Sequence, residues 1–279
     1  MIKKQHGVTL IELMVSMMLG LALISGLSQL FVQSQKSFKL QRNLSDMTDD
    51  GVFVLDALAK GLRQAGYSED GTKNYPSSAN SAFPIPDSPV VPNIIFNDSS
   101  EYIHGADEVS SSGKGDQLVY RYKLSNVNEL SNSMCTDTKK LKDAYAVGKI
   151  VTVRIYKKYD GDFFVFYCKS SVDSIIEDAQ PLISQVEKLV FKYGVKISTV
   201  TATCSTPPCF YYTNADGVSS DWTKVFAVKV FLVMRSADKN LTRFKTGWSI
   251  DGGETEYPAT DEKRLYKVFS TTIFLRNAP

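Results

Sequence analysis

The longest hydrophobic run of the chain lies close to its first residue. Val8 to Val32 is a stretch of 25 residues in which Glu12 carries the only formal charge. A helix of this length can cross a hydrocarbon core of roughly 30 Å. The pattern therefore predicts a membrane-spanning helix over residues 8–32.

The helical pattern continues beyond this run. Apolar and small residues recur at a spacing of three and four as far as Ala65, and Gly66 is a stop signal. A continuous helix from Thr9 to Ala65 would be about 85 Å long at about 1.5 Å per residue. Its outer half, residues 33–66, is expected to pack on a globular domain. The positions on the predicted face are Leu27, Phe31, Ser34, Phe38, Leu44, Met47, Leu55, Leu58, Leu62 and Ala65.

The remainder, residues 67–279, has the pattern of a β-rich head domain. Residues 67–112 are rich in Pro, Gly, Ser, Asn and Asp, which predicts an irregular excursion with at most short strands. Asp160-Gly161 separates two β-rich runs and predicts a hairpin. The fold class is therefore α+β, with one long helix packed on an antiparallel sheet. Strands are predicted in the runs 118–124, 151–155, 163–168, 186–193, 225–234 and 268–275.

The overall composition is that of a folded protein with balanced charge. Charged residues make up 22% and hydrophobic residues 43%. The net charge is only +2, and Lys3 and Lys4 near the N-terminus supply two of the positive charges. A nucleic-acid binder usually shows a basic excess or a basic stripe. Nucleic-acid binding is therefore not indicated.

All four cysteines lie on the predicted outer side of the membrane. An even count there predicts disulfides, with three possible connectivities. The short, turn-prone sequence between Cys204 and Cys209 favours that pair, which leaves Cys135 to pair with Cys168. Zinc is the alternative, but the spacing does not fit a zinc site and no histidine lies nearby in the sequence. We expect no metal.

Two acidic segments are further candidate sites. Asp160 and Asp162 could bind calcium, but a lone Asp-Gly-Asp is more typical of a turn. An acidic loop near the C-terminus is interpreted as solvated, with a cation or partner site left open. Its acidic residues are Asp251, Glu254, Glu256, Asp261 and Glu262.

The sequence carries no recognisable catalytic motif. It has no Gly-x-Ser-x-Gly, no cluster of metal ligands and no phosphate loop, and His104 is the one histidine after the first few residues. We therefore predict that the protein is not an enzyme and needs no cofactor. The alternative is a membrane-tethered hydrolase that uses carboxylates alone.

The first seven residues have the form of a leader peptide. Lys3 and Lys4 are typical of a cytoplasmic segment. A secretory signal places its cleavage site after the apolar run. Here the candidate site, Gly7, precedes that run, so cleavage leaves the helix on the mature protein.

The sequence Gly7-Val8-Thr9-Leu10-Ile11-Glu12 resembles the processing site of type IV prepilins and type II secretion pseudopilins. The resemblance implies that a prepilin peptidase cuts between Gly7 and Val8 and that Val8 is N-methylated, although Phe or Met is commoner there. It also implies that Glu12 directs subunit assembly by pairing with a positive amino terminus. A carboxylate within a membrane helix is costly unless paired, which marks it as functional. The alternative is a signal anchor whose Glu12 lies among the lipid headgroups.

The body of the chain resembles the PilW group of minor pilins, which implies a pilin-like fold. These body motifs look like core strands and the end of the helix, and no chemistry is assigned to them. They are Arg63 to Tyr67, Asp116 to Tyr122, Val186 to Gly194, Trp222 with Arg235-Ser236, and Phe269 to Asn277.

The resemblance implies a minor pilin that primes type IV pilus assembly at or near the tip. Its partners would be other minor pilins, the major pilin, a PilY-type tip adhesin, the inner-membrane assembly platform and the prepilin peptidase. The chain would cross the inner membrane once, with a periplasmic C-terminal domain before assembly and a surface location afterwards. The alternative is a type II secretion pseudopilin of the GspJ kind. The division predicted is leader 1–7, membrane half-helix 8–32, periplasmic half-helix 33–66 and head 67–279.

Overall fold

The computed structural model describes most of the helix and the strands of the head. The described residues are 9–68, 96, 101–107, 116–123, 149–160, 163–172, 175–176, 179–197, 209–219, 222–258 and 262–278. Side chains are described in all of these ranges except for residues 159–178, where only the backbone is described.

The predicted long helix is confirmed. Helix α1 covers Leu10–Gln64, with Thr9 as its N-cap and Ala65 as its C-cap. It ends there because Gly66 takes a φ of 75°, in the left-handed region that glycine adopts without a steric penalty.

The first strands of the head form an antiparallel sheet, and every predicted strand of this region is present. Strand β1 pairs with β2, β2 with β3, and β3 with β4, and both β5 and β6 pair with β4. Asp160 lies opposite Phe163 at the end of the β3–β4 ladder, which confirms the predicted hairpin. The strands are β1 (Ile103–Ala106), β2 (Gln117–Lys123), β3 (Ile150–Asp160), β4 (Phe163–Val172), β5 (Ile175–Ile176) and β6 (Gln180–Ile183).

A second antiparallel sheet follows, whereas the sequence analysis predicted a single sheet. Its strand order within the described residues is β10-β9-β7-β8. The short helix α2 (Ala215–Val218) and a 3₁₀ turn (Trp222–Lys224) connect two of its strands. The strands are β7 (Val186–Ile197), β8 (Cys209–Thr213), β9 (Val225–Arg235) and β10 (Tyr266–Phe274).

The outer half of α1 packs on the head along a narrow seam, chiefly against β10 and β9. Met47, Leu58 and Leu62 are buried as predicted, but Leu44 remains 39% exposed. The seam instead includes one amide and two glycines. Its buried residues are Asn43, Met47, Gly51, Val54, Leu58, Gly61 and Leu62.

The two glycines of the seam allow close contact with aromatic rings of the sheets. A Cβ built on Gly51 would lie 2.7 Å from the nearest ring carbon of Phe269 in β10. A Cβ on Gly61 would overlap the Tyr120 hydroxyl of β2. Both positions therefore set the distance between α1 and the sheets.

We predict that Gly51→Val destabilises the head by about 2 kcal/mol, because overpacking a well-filled contact costs about 1–3 kcal/mol. Thermal unfolding of the full-length protein in detergent measures this loss. Ser45→Val, at an exposed position of the same helix, is the matched control and should change little. Adding Phe269→Leu should recover part of the loss, and an unchanged unfolding midpoint for Gly51→Val alone would contradict the prediction.

Candidate assembly site

The first turn of α1 holds Glu12 in a capping box with Thr9. The Thr9 backbone N–H and hydroxyl both donate to Glu12 Oε2, at 2.9 and 3.0 Å, and the Glu12 N–H donates to Thr9 Oγ1 at 3.3 Å. This reciprocal arrangement satisfies two N–H groups that a helix start otherwise leaves unpaired. The Glu12 carboxylate is thereby directed toward the start of the chain.

No residue in the described inner half of α1 is buried. Its most apolar stretch of 18 residues has no residue buried in the structure, and α1 is long and apolar enough to cross a membrane. Leu27 and Phe31 of the predicted face are each 65% exposed, and Phe38, near the start of the outer half, is 63% exposed. These side chains need lipid or other helices around them.

The far end of α1 is fixed to the head at one joint. Beyond Ala65, the Gly66 N–H donates to the Arg121 carbonyl of β2 at 2.8 Å, and the Lys123 N–H donates to the Tyr67 carbonyl at 2.8 Å. Asn277, after β10, donates from Nδ2 to the Ala65 carbonyl at 3.0 Å. The free carbonyls of the helix end are thus bound by the C-terminal segment of the head.

A second joint lies nearer the membrane half. The buried Asn43 donates from Nδ2 to Asp238 Oδ2 at 3.0 Å, and its Oδ1 accepts from the Asp238 N–H at 3.2 Å. Lys267 of β10 also donates to the Thr48 hydroxyl at 2.9 Å. The two joints thus attach the outer half of α1 to the head at two places along the helix.

The Asn43 joint is supported by a buried arginine. Arg264 Nη1 donates to the carbonyls of Ser236, at 2.6 Å, and Ala237. Its Nε donates to Glu262 Oε2 at 2.5 Å, and Lys239 pairs with the other oxygen of Glu262 at 2.8 Å. These bonds hold the turn that presents Asp238 to the helix.

The two cations that bind Glu262 make this support dependent on pH. The hydrogen bond from Lys239, which has the larger effect, and the hydrogen bond from Arg264 lower the pKa of Glu262 from an ordinary 4.5 to about 2. A carboxyl whose pKa is lower in the folded state stabilises that state fully above its unfolded value. Its contribution is lost as the pH falls from about 4.5 through about 2.

We therefore predict that Glu262→Gln weakens the acid sensitivity of the fold. Unfolding midpoints at pH 6 and pH 3 are compared for wild type and variant. The wild type should lose more stability than the variant over this interval, and Glu254→Gln, at an exposed position, should behave as wild type. Equal losses in wild type and Glu262→Gln would contradict the prediction.

The β9–β10 connection includes an arm, residues 236–258, that folds back over the second sheet. Lys192 of β7 and Lys229 of β9 lie opposite each other in the ladder, where like charges repel. Asp251 bridges them, with carboxylate oxygens 2.9 Å from Lys192 Nζ and 2.6 Å from Lys229 Nζ. Both lysines lower the pKa of Asp251 by donating hydrogen bonds to it.

The rest of the arm is held in the same way, so its acids are exposed to solvent but also form ion pairs that the sequence did not predict. Glu256 pairs with Lys188 at 2.6 Å. Trp248 bridges to Glu256 through backbone hydrogen bonds and packs on Tyr266, with ring centroids 4.9 Å apart. Asp251, Glu256 and Glu262 therefore bind side chains of the head itself. Asp261 lies outside the described residues.

Buried polar contacts join the two sheets. Asp116, before β2, accepts a hydrogen bond from the Phe191 N–H of β7 at 2.9 Å. The Tyr102 hydroxyl donates to the Val225 carbonyl of β9 at 2.6 Å, and burial raises the pKa of Tyr102. These contacts fix the position of the first sheet relative to the second.

Arg121 and His104 both pack against aromatic side chains of the head. Arg121 is buried, donates to the Glu101 carbonyl and lies 3.7 Å from the ring centroid of Phe96. Burial lowers the pKa of Arg121 to about 10. His104 stacks on Trp222 with centroids 4.3 Å apart, and burial lowers its pKa. Packing accounts for both residues.

Several predicted site residues fall outside the described residues, namely Gly7, Val8, Cys135, Asp162 and Cys204. Cys168 lies in β4, in the range whose side chains are not described. Cys209 begins β8 and is disulfide-bonded. The pairing of the four cysteines stays a prediction. Among the described residues, no group of three or more His, Cys, Asp or Glu could hold a metal ion.

Two family models match the chain. Residues 2–28 match the prokaryotic N-terminal methylation motif, and residues 164–277 match the model of type IV pilus-assembly protein W. The C-terminal part of the chain is therefore of the PilW type, and its N-terminal part carries the methylation motif of prepilins. The first match contains Glu12 and its capping box, and the second contains the arm and β10.

A solved structure and the curated sequences add little to this assignment. A type IV-like pilin from Thermus thermophilus is 13% identical to the chain, with a TM-score of 0.42, and the match covers 84% of this chain and 96% of that one. No curated protein sequence matches. The pilin-like α+β fold class of this PilW-type protein therefore rests on the helix and sheets described above.

The PilW motifs of the sequence lie at the joints of the head. Gly66 ends the helix, Asp116 and Arg121 make buried contacts of β2, and Asn277 binds the helix end. Ser236 is fully buried, and its hydroxyl donates to the Asp238 carbonyl at 2.8 Å. The motifs thus include residues that attach α1 to the head and residues that join the two sheets.

Proposed function

We propose that the protein is a minor pilin that primes type IV pilus assembly and lies at or near the pilus tip. The observation that carries the proposal is the division of α1 into two halves. The inner half exposes apolar side chains on every face, and the outer half is fixed to a large head. Such a subunit resides in lipid until its helix can pack with other pilin helices.

The N-terminal residues supply the chemistry of assembly. The prepilin peptidase cleaves between Gly7 and Val8, and Val8 is then N-methylated. The new amino terminus lies one residue before Thr9, which already binds the Glu12 carboxylate. Glu12 pairs with the positive amino terminus of its own chain or of an incoming subunit, and this pairing offsets the cost of a charge in the membrane.

The mechanism is mechanical, and the protein is not an enzyme. The helices of several minor pilins pack together with a PilY-type adhesin above them, and the inner-membrane platform adds major pilins beneath. The head lies in the periplasm before assembly and at the cell surface afterwards. The PilW-type sequence and the rigid joints between α1 and the sheets support this arrangement, since an insertion force on the helix is then transmitted to the head.

Deleting the gene tests the proposal. Surface pili are counted with and without the retraction motor, and type II secretion is assayed in the same strains. A priming subunit predicts near-loss of pili and partial recovery when retraction is disabled. Normal pili with secreted enzymes trapped in the periplasm would overturn the proposal and support a GspJ-like pseudopilin.

A further inference from the structure

Strand β8 is an open edge of the second sheet. It pairs with β7 along one side, from Tyr193 opposite Thr213 to Ile197 opposite Cys209. On its other side no described strand pairs with it. An edge strand presents unpaired backbone N–H and C=O groups, which form a template for another strand.

The side chains of β8 make this edge unusually apolar. Phe210, Tyr211 and Tyr212 are 63%, 40% and 37% exposed. Successive strand residues point to opposite faces, so solvent reaches β8 from both sides. The sequence Cys-Phe-Tyr-Tyr-Thr contains no charge and no proline, the devices that usually protect an edge from pairing.

An aromatic patch continues from β8 across the sheet. Phe226 packs edge-on against Phe210 with centroids 5.5 Å apart, and it stacks on Phe274 at 6.1 Å. Phe274 is 62% exposed. Arm residues such as Asp251 contact the Lys192 and Lys229 part of this sheet and leave these aromatic rings exposed.

The patch lies at the end of the head that is remote from the membrane half of α1. Lys267, at the start of β10, contacts Thr48, whereas Asn277, after Phe274, contacts Ala65 at the end of the helix. Two exposed cations flank the patch, since Lys196 pairs with Phe210 in the ladder and Arg276 follows Phe274 by two residues. A partner segment with acidic residues beside its apolar ones fits these charges.

We propose that β8 is a strand-addition site for an extended segment of another pilus-tip subunit. The segment has apolar side chains at alternate positions and an acidic flank. Backbone hydrogen bonds to β8 supply affinity, and the aromatic patch selects the alternate apolar side chains. The identity of the partner as a tip subunit rests on the proposed function, whereas the strand-addition site itself does not.

Photo-crosslinking in the native host tests the site. The full chain carries p-benzoylphenylalanine in place of Phe210 or Tyr212, which keeps an aromatic ring at each position. Controls carry it at Phe244 or Tyr257, exposed aromatic residues of the arm. The expected product links only the β8 positions to another pilus subunit, within a run of alternately apolar residues. Equal products at all four positions, or a product with a second copy of this chain, would overturn the proposal.

Two further measurements distinguish strand addition from side-chain packing and from a failure of the proposed function. Amide hydrogen exchange at residues 209–213 should slow at least tenfold when the crosslinked partner is bound, and unchanged exchange would refute strand addition.

Phe210→Lys combined with Tyr212→Lys should lower piliation at least fivefold, whereas Phe244→Lys with Tyr257→Lys should not. If gene deletion removes pili while the β8 lysine variants assemble pili at the wild-type level, the site is refuted and the function stands. If deletion leaves pili intact while the crosslink persists, the function is refuted and the site stands.

Discussion

Glu12→Gln is expected to reduce surface pili by about tenfold or more while leaving the helix intact. Glutamine can keep the capping box, because its amide oxygen can still accept from the Thr9 N–H and hydroxyl. The change therefore removes the charge and little else. A loss of only about 1.4 kcal/mol in the pairing with an amino terminus corresponds to a factor of ten in the assembly equilibrium.

Thr9→Ala is the matched control for this prediction. It removes the hydroxyl of the capping box but keeps the Glu12 charge, and a lost N-cap costs only about 1 kcal/mol of helix stability. Pili are counted by electron microscopy, with the amount of each chain in the membrane measured by immunoblot. Equal losses of pili in the two variants would mean that the helix cap, and not the charge, is required.

The helix and its N-terminal site could be predicted because their signals are local in the sequence. The run from Val8 to Val32, the spacing as far as Ala65 and the stop at Gly66 all arise from neighbouring residues. The capping box likewise depends on Thr9 and Glu12 alone, three residues apart. Interactions within one turn of a helix leave a readable pattern.

The seam of α1 could not be predicted in the same way, because its burial depends on residues far away in the chain. Asn43 is polar, which is typical of a surface residue, but it is buried because Asp238, 195 positions later, is its hydrogen-bond partner. Gly51 has a low helix propensity, and its role is evident only from the ring of Phe269, which packs against it in the folded state. The apolar spacing therefore predicts Leu44 on the buried face and does not indicate Asn43 or Gly51.

The ion pairs of the arm could not be predicted for a related reason. Asp251 and its neighbours are acidic and close to glycines, which is typical of a solvated loop. The lysines that bind Asp251 lie 22 and 59 positions away, on strands whose pairing brings them together. Strand β8 was also missed, since five residues between turns carry little alternation. A β-sheet assembles distant segments, so its charge pairs become visible only in the folded state.

Arg264→Met is expected to destabilise the head by about 3 kcal/mol and to weaken the joint at Asn43. The buried guanidinium binds the Ser236 and Ala237 carbonyls and Glu262. Methionine fills much of the same space but donates no hydrogen bond. A buried polar group left unpaired costs about 1–3 kcal/mol, and three acceptors lose a donor here, one of them partly exposed.

The loss should lower the unfolding midpoint of the full-length protein in detergent by about 6–12 °C, at about 2–4 °C per kcal/mol for a domain of this size. Arg243→Met, at an exposed position of the arm, is the matched control and should leave the midpoint unchanged.

Asn43→Ala should lower the free energy of unfolding by less than Arg264→Met does, and the double variant should lower it by less than the sum of the two. Additive losses would show that the arginine does not act through the turn that presents Asp238 to Asn43. Because that turn fixes the head to the helix near its membrane half, the same variant should also lower piliation, without changing the proposed cleavage after Gly7.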